Sequence, residues 1–93
     1  MEITYDPGKN AKNVAERDLS FDRAIDFHWA VAQVKQDTRK DYPEIRYTAI
    51  GCLEGRLHVI CFSETKKGIR VISFRKANKR EEKGYEEAIA NNQ

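Results

Sequence analysis

Little in these 93 residues suits metal, redox or membrane chemistry. The two cysteines, Cys52 and Cys61, form no CxxC pair, and both are expected as reduced thiols in the core. His28 and His58 lie far apart in sequence with no Cys, Asp or Glu at ligand spacing, which argues against a zinc site. The five glycines compose neither GxGxxG nor a P-loop, so hydride transfer and nucleotide hydrolysis have no motif, and no cofactor or metal is expected. No apolar run approaches a membrane span, and Met1 to Asp6 lacks the basic and apolar regions of a leader. The expectation is a cytoplasmic protein. There is no repeat or low-complexity tract, and the length leaves room for one domain, 1–93, built on one core.

What the chain does hold is charge, unevenly placed. Net charge is only +2, but the segment 66–83 carries eight cations, Lys66, Lys67, Arg70, Arg75, Lys76, Lys79, Arg80 and Lys83, against Glu81 and Glu82. That segment is +6 and the remainder is −4. A local positive field of this kind suits a polyanion.

The patterning predicts an α+β domain: an antiparallel sheet with two N-terminal helices on one side and a C-terminal helix. Glu2 to Tyr5 alternates as a short strand ending at Asp6-Pro7-Gly8, and a helix over Lys9 to Arg17 follows. Ser20 is the expected N-cap of a second helix with Phe21, Ala24, Ile25 and His28 on one face. The stretch after Phe27 reads as helix or strand, with a strand preferred from Val31 to Gln36, and the charged residues 36–44 read as a solvent loop. Three segments of period two, Ile45 to Cys52, Arg56 to Ser63 and Ile69 to Arg75, form a meander through short glycine-containing turns. In the last of them Ile69, Val71 and Ser73 are expected on one face, and Arg70, Ile72 and Phe74 on the other. A helix is expected from Ala77 onward, before a polar tail at Asn91-Asn92-Gln93.

The densest chemistry lies at the exit of the last strand, where Arg75 and Lys76 are expected to meet Lys79 and Arg80 one helical turn later around one phosphate. The plain alternative is a solvated helix face paired with Glu81, Glu82 and Glu86, although the cations outnumber what such pairs need. RNA cleavage without a metal requires a deprotonated 2′-OH, a stabilised phosphorane and a protonated leaving oxygen. Arg75 and Arg80 suit charge stabilisation; a cation-crowded lysine such as Lys76 can shuttle protons, and Glu64 can serve as base. Lys66, Lys67, Arg70 and Lys79 are expected phosphate contacts, and Tyr47 a ring on which a base stacks. His58 alternates with Arg56 and Ile60 on a strand face open to substrate or is a hydrogen-bonded structural histidine, while His28 reads as structural.

The run Arg70-Val71-Ile72-Ser73-Phe74-Arg75-Lys76-Ala77, followed by Arg80-Glu81 and Tyr85-Glu86, is similar to the "R-[IV]-I-S-x-R-K-A … R-E … Y-E" of the BrnT toxin family. Asp6-Pro7 with Lys9 and Asn13 resembles that family's opening "D-P-x-K-x-x-x-N", Phe21 to Ala24 its "F-x-x-A", and Arg46-Tyr47 with Ile50-Gly51 its "R-[FY]-x-x-I-G". The resemblance spans nearly the whole chain. It implies a RelE-like fold and a ribosome-independent mRNA endonuclease. It also implies neutralisation by a BrnA-type antitoxin, a ribbon-helix-helix DNA-binding protein through which the toxin oligomerises. Lys9 and Arg17 join the expected substrate contacts on this basis. One departure stands out: Glu16-Arg17 occupies the place of the family's usual Lys-His, and arginine keeps a cation there but cannot act as a neutral base.

Two other functions fit the charge pattern, a nucleic-acid-binding module without catalysis and an interaction module docking an acidic protein. Turnover separates the first from a ribonuclease, and salt-dependent retention on RNA argues against the second.

Overall fold

The computed structural model describes residues 1–91. Strands β1 (Glu2–Tyr5), β2 (Gln33–Gln36), β3 (Tyr47–Leu53), β4 (Arg56–Glu64) and β5 (Gly68–Lys76) form one sheet in the order β1-β5-β4-β3-β2. Helix α1 (Pro7–Arg17) follows β1, and helix α2 (Lys79–Asn91) closes the described chain. The polar tail expected at 91–93 lies, beyond Asn91, outside the described residues. The fold is therefore α+β. The β3-β4-β5 meander is antiparallel, but β1 joins the outer side of β5 in parallel. Gly68 permits that pairing, because a Cβ there would stand 2.1 Å from the Glu2 carbonyl oxygen.

Local chemistry explains the element ends. Asp6 caps α1 by accepting from the Gly8 N–H, and Pro7 sits in the first turn, where its missing N–H costs nothing. The helix stops at Asp18, whose left-handed backbone (φ 54°) turns its N–H onto the Val14 carbonyl. Glu54 and Gly55 both have positive φ and close the two-residue β3-β4 hairpin, the twist such turns need. The second helix expected after Ser20 is instead a 3₁₀ segment, Phe21–Asp26, followed by a shorter one at Trp29–Val31. Ser20 does cap the first, accepting from the Asp22 N–H. Tertiary packing decides the tighter winding: Phe21, Ala24 and Phe27 are all buried, and a buried apolar side chain at every third residue matches 3₁₀ periodicity.

These residues pack on one face of the sheet against Ala49, Leu53, Ile60, Phe62, Ile69, Val71 and Phe74. Strict alternation along β5 fails at a bulge: Cys61 faces Ser73 while Phe62 faces Val71, leaving Ile72 as the extra residue. Val71 and Phe74 consequently share the core face that alternation had separated. Gly51 lets the Phe27 ring lie on the sheet, since a Cβ there would come within 2.7 Å of the ring. Helix α2 crosses the opposite face, where Tyr85 is buried and donates through its hydroxyl to the Val31 carbonyl at 3.2 Å. No described helix is long and apolar enough to cross a membrane.

Candidate functional site

Arg75 and Lys76 are consecutive residues of β5, so their side chains leave opposite faces of the sheet. The structure thereby divides the cationic cluster. Arg75 enters an open groove of about 950 Å³ between the sheet and α2, lined also by Arg80, Asn78, Glu81 and Tyr85. Lys76 enters a second groove of about 820 Å³ on the α1 side, with Arg17, Arg23, Arg56 and His58.

The first groove is built around a capped helix start. Asn78 accepts the Glu81 N–H at 2.8 Å, and the Glu81 carboxylate accepts the Asn78 N–H at 3.0 Å, a reciprocal capping box. The same carboxylate receives two hydrogen bonds from the Arg75 guanidinium, at 2.8 and 3.0 Å, which ties the helix to the strand end. These bonds hold Glu81 below the usual carboxylate range and raise the proton affinity of Arg75. Arg80, in the first turn of α2, is exposed and has no carboxylate within salt-bridge reach among the described residues. Across the groove stand Lys35 on β2 and Arg39 on the segment after it. Of the carboxylates lining the groove, Asp37 and Glu81, each is already bonded by an arginine.

Other residues expected at the site lie elsewhere. Lys66 and Lys67 occupy the exposed β4-β5 turn, and the eight strand steps from Lys67 to Arg75 span about 26 Å. Glu64 ends β4 at that same far end, five steps or about 17 Å beyond Val59, the residue paired with Arg75. Arg70 is exposed near the same end of β5, outside the groove lining. Tyr47 lies on the core face, stacked on Phe62 with ring centroids 5.6 Å apart. Lys9 is exposed in the first turn of α1, and Lys79 is exposed beside Arg80. Arg80 and Arg75 are thus brought together as expected. Lys35 and Arg39 were missed: Lys35 fell within the expected strand Val31 to Gln36, Arg39 within the segment 36–44 that read as solvent loop, and charge density alone pointed to 66–83.

His58, buried in the second groove, donates from Nδ1 to the Arg56 carbonyl at 2.8 Å, since a carbonyl can only accept. Burial lowers its proton affinity despite that bond, and the charges of Arg56, Lys76 and Arg23 lower it further. Folded His58 therefore binds a proton less readily than in the unfolded chain, so its contribution to stability is full above about pH 6.5 and is lost as pH falls toward the lower folded value. Melting temperatures measured from pH 7.5 to pH 5 should fall in the wild type and fall less in His58→Gln. Parallel curves would mean that His58 is not the group that titrates.

A family model described as "Ribonuclease toxin, BrnT, of type II toxin-antitoxin system" matches residues 5–81. No individually curated protein matches the chain significantly. The matched stretch covers every strand from β2 to β5, all of α1, and Arg75, Arg80 and Glu81 of the first groove. Among the described residues no three His, Cys, Asp or Glu side chains are grouped so as to hold a metal ion. A ribonuclease toxin of a type II system acts on RNA and is held by a protein antitoxin. The chain belongs to the BrnT family of ribonuclease toxins of type II toxin-antitoxin systems.

Proposed function

We propose that this toxin is a metal-independent mRNA endonuclease whose substrate lies in the groove between the sheet and α2, where Arg75 and Arg80 act on the scissile phosphate. The observation that carries the reading is the convergence of Arg75, at the end of β5, and Arg80, in the first turn of α2, on one open groove with Lys35 and Arg39 opposite. In the reaction the 2′-oxygen bonds to phosphorus and gives up its proton, the bond from phosphorus to the 5′-oxygen breaks, and that oxygen takes a proton. Charge accumulates on the phosphorane oxygens, and permanently charged arginines preorganised at its edge stabilise it without the reorganisation that water would need. Glu81 is placed in this groove and Glu64 is not, so Glu81 is the better acceptor for the 2′-OH proton. Because Arg75 holds Glu81 ionised and weakly basic, stabilisation by the arginines is the larger contribution.

This reading makes the products 2′,3′-cyclic phosphates, formed equally well in EDTA. Mapping the termini of a cleaved single-stranded RNA with and without chelator checks it, and cleavage that appears only with magnesium would overturn it. The antitoxin is taken to be a BrnA-type ribbon-helix-helix protein that masks the basic groove and oligomerises the toxin through its own dimer. Rescue of growth on co-expression with a short adjacent reading frame of that type is the corresponding test.

One observation favours the second reading, a binding module without catalysis: the Arg75 guanidinium is already engaged by Glu81. RNA retained but never cleaved would select it.

A further inference from the structure

The segment after β2 contains an arrangement that fastening a loop does not require. Asp37 has a side chain only 2 % exposed, yet its sole ionic partner among the described residues, Arg39, is 77 % exposed. Arg39 donates to both carboxylate oxygens, from Nε at 2.9 Å and Nη2 at 2.8 Å, and its backbone N–H adds a third bond at 3.2 Å. The Tyr42 hydroxyl donates to Oδ2 at 3.2 Å, and the Asp37 N–H itself donates to the Arg46 carbonyl at 2.8 Å. Those bonds, led by the Arg39 guanidinium, hold the carboxyl well below the usual carboxylate range. Burying a carboxylate is costly, and the cost is offset only when its oxygens are fully bonded, as here. The result is a rigid base for a guanidinium that stands in solvent at the wall of the first groove.

Arg39 faces Arg75 across that groove. The hydrogen bonds to Glu81 raise the proton affinity of Arg75 while the charge of Arg39 lowers it, so the two cations sense one another. Their carboxylates, Asp37 and Glu81, lie on separate walls, one on the segment after β2 and one on α2. Between like charges held on opposite walls, an anion gains from both. An RNA strand offers anions in series, one per nucleotide, whereas a protein side chain offers one.

We infer that Arg39, steered by the buried Asp37 carboxylate, is a third arginine of the substrate groove and grips an RNA phosphate opposite Arg75 and Arg80. This rests on the groove being the RNA site. Asp37 is a positioning residue, acting only through Arg39. Tyr42, under the Arg46 guanidinium at 4.2 Å, braces the same segment.

The test uses the whole toxin with a short single-stranded RNA for turnover and its 2′-O-methyl counterpart, which cannot be cleaved, for binding over a series of salt concentrations. Arg39→Ala should lower kcat/KM about tenfold or more and reduce the salt slope of binding by about one. Arg39→Lys should restore the slope but not the full kcat/KM, because lysine lacks the planar fork that both Asp37 and phosphate engage. Asp37→Asn should resemble Arg39→Lys. A fastening role alone would lower the melting temperature and leave the salt slope of Arg39→Ala unchanged, which would overturn the inference. Arg75→Ala, run in parallel, separates the two levels: if it is inactive while Arg39→Ala retains wild-type slope and turnover, Arg39 is removed and the groove stands. If Arg75→Ala and Arg80→Ala bind and cleave as wild type, the groove itself is the wrong site and the assignment of Arg39 falls with it.

Discussion

Alanine at Arg80 is expected to lower RNA turnover by about a hundredfold or more and to abolish growth inhibition, with no change in melting temperature. The size follows from removing one preorganised charge from a developing phosphorane, an effect worth a few kcal/mol where such charge is fixed in advance. Stability is spared because Arg80 is exposed and has no ion-pair partner among the described residues. Arg75→Ala should lose turnover as severely but for a mixture of reasons. Its guanidinium binds Glu81 in two places, and Glu81 in turn caps α2. That pair is partly exposed, so its loss should cost only about 1 kcal/mol, or roughly 4–8 °C in a domain of this size. Turnover and thermal melts measured together on both variants are therefore needed, and Arg80→Ala is the cleaner of the two. A folded Arg80→Ala protein with wild-type turnover would remove Arg80 from the chemistry.

The largest effect on stability is expected from Asn13→Ala. Asn13 is buried on the inner side of α1, and its amide nitrogen donates to the Leu19 carbonyl at 2.8 Å and the Phe74 carbonyl at 2.9 Å. Strand β1 ends opposite Val71, so the Phe74 carbonyl farther along β5 takes this side-chain donor where β1 no longer runs beside it. Alanine would leave two buried carbonyls without that donor, at about 2–4 kcal/mol, which lowers the melting temperature by roughly 8–30 °C. Asn13→Asp should be at least as damaging, because an ionised carboxylate only accepts and would face two acceptors. Turnover per folded molecule should change little. An Asn13→Ala protein that melts within about 3 °C of wild type would show that these carbonyls find other partners.

The asparagine also clarifies the opening motif shared with the family. Asp6 caps α1, Pro7 starts it and Asn13 fastens it to β5, so three of its residues act on the fold. Lys9, the remaining one, projects into solvent and keeps its expected role as a substrate contact only as a proposal.

Much of the architecture was legible in the chain because it rests on local physics. Alternation marked β1, β3, β4 and β5, the glycine-containing stretch Leu53-Glu54-Gly55 marked a short hairpin connection, and Asp6-Pro7 and Ser20 marked the starts of α1 and of the first 3₁₀ segment. The family resemblance, read over nearly the whole chain, is matched by the family model over residues 5–81, and two of its arginines, Arg75 and Arg80, do share a groove. Packing decided the rest. The 3₁₀ winding of Phe21–Asp26 was set by the ring positions the sheet would accept, and the bulge at Ile72 moved Phe74 to the core face, neither of which propensity encodes. The basic segment was a cluster in sequence only: a strand some 26 Å long carried Lys66 and Lys67 away from Arg75, and alternation sent Lys76 through to the other face. Conversely, Asp37 and Arg39 line the groove because β2 pairs with β3 and α2 returns across the sheet, which places residues distant in sequence on facing walls. The uneven charge of the sequence pointed to a polyanion, but only the crossing of α2 over the sheet decided which cations share one groove.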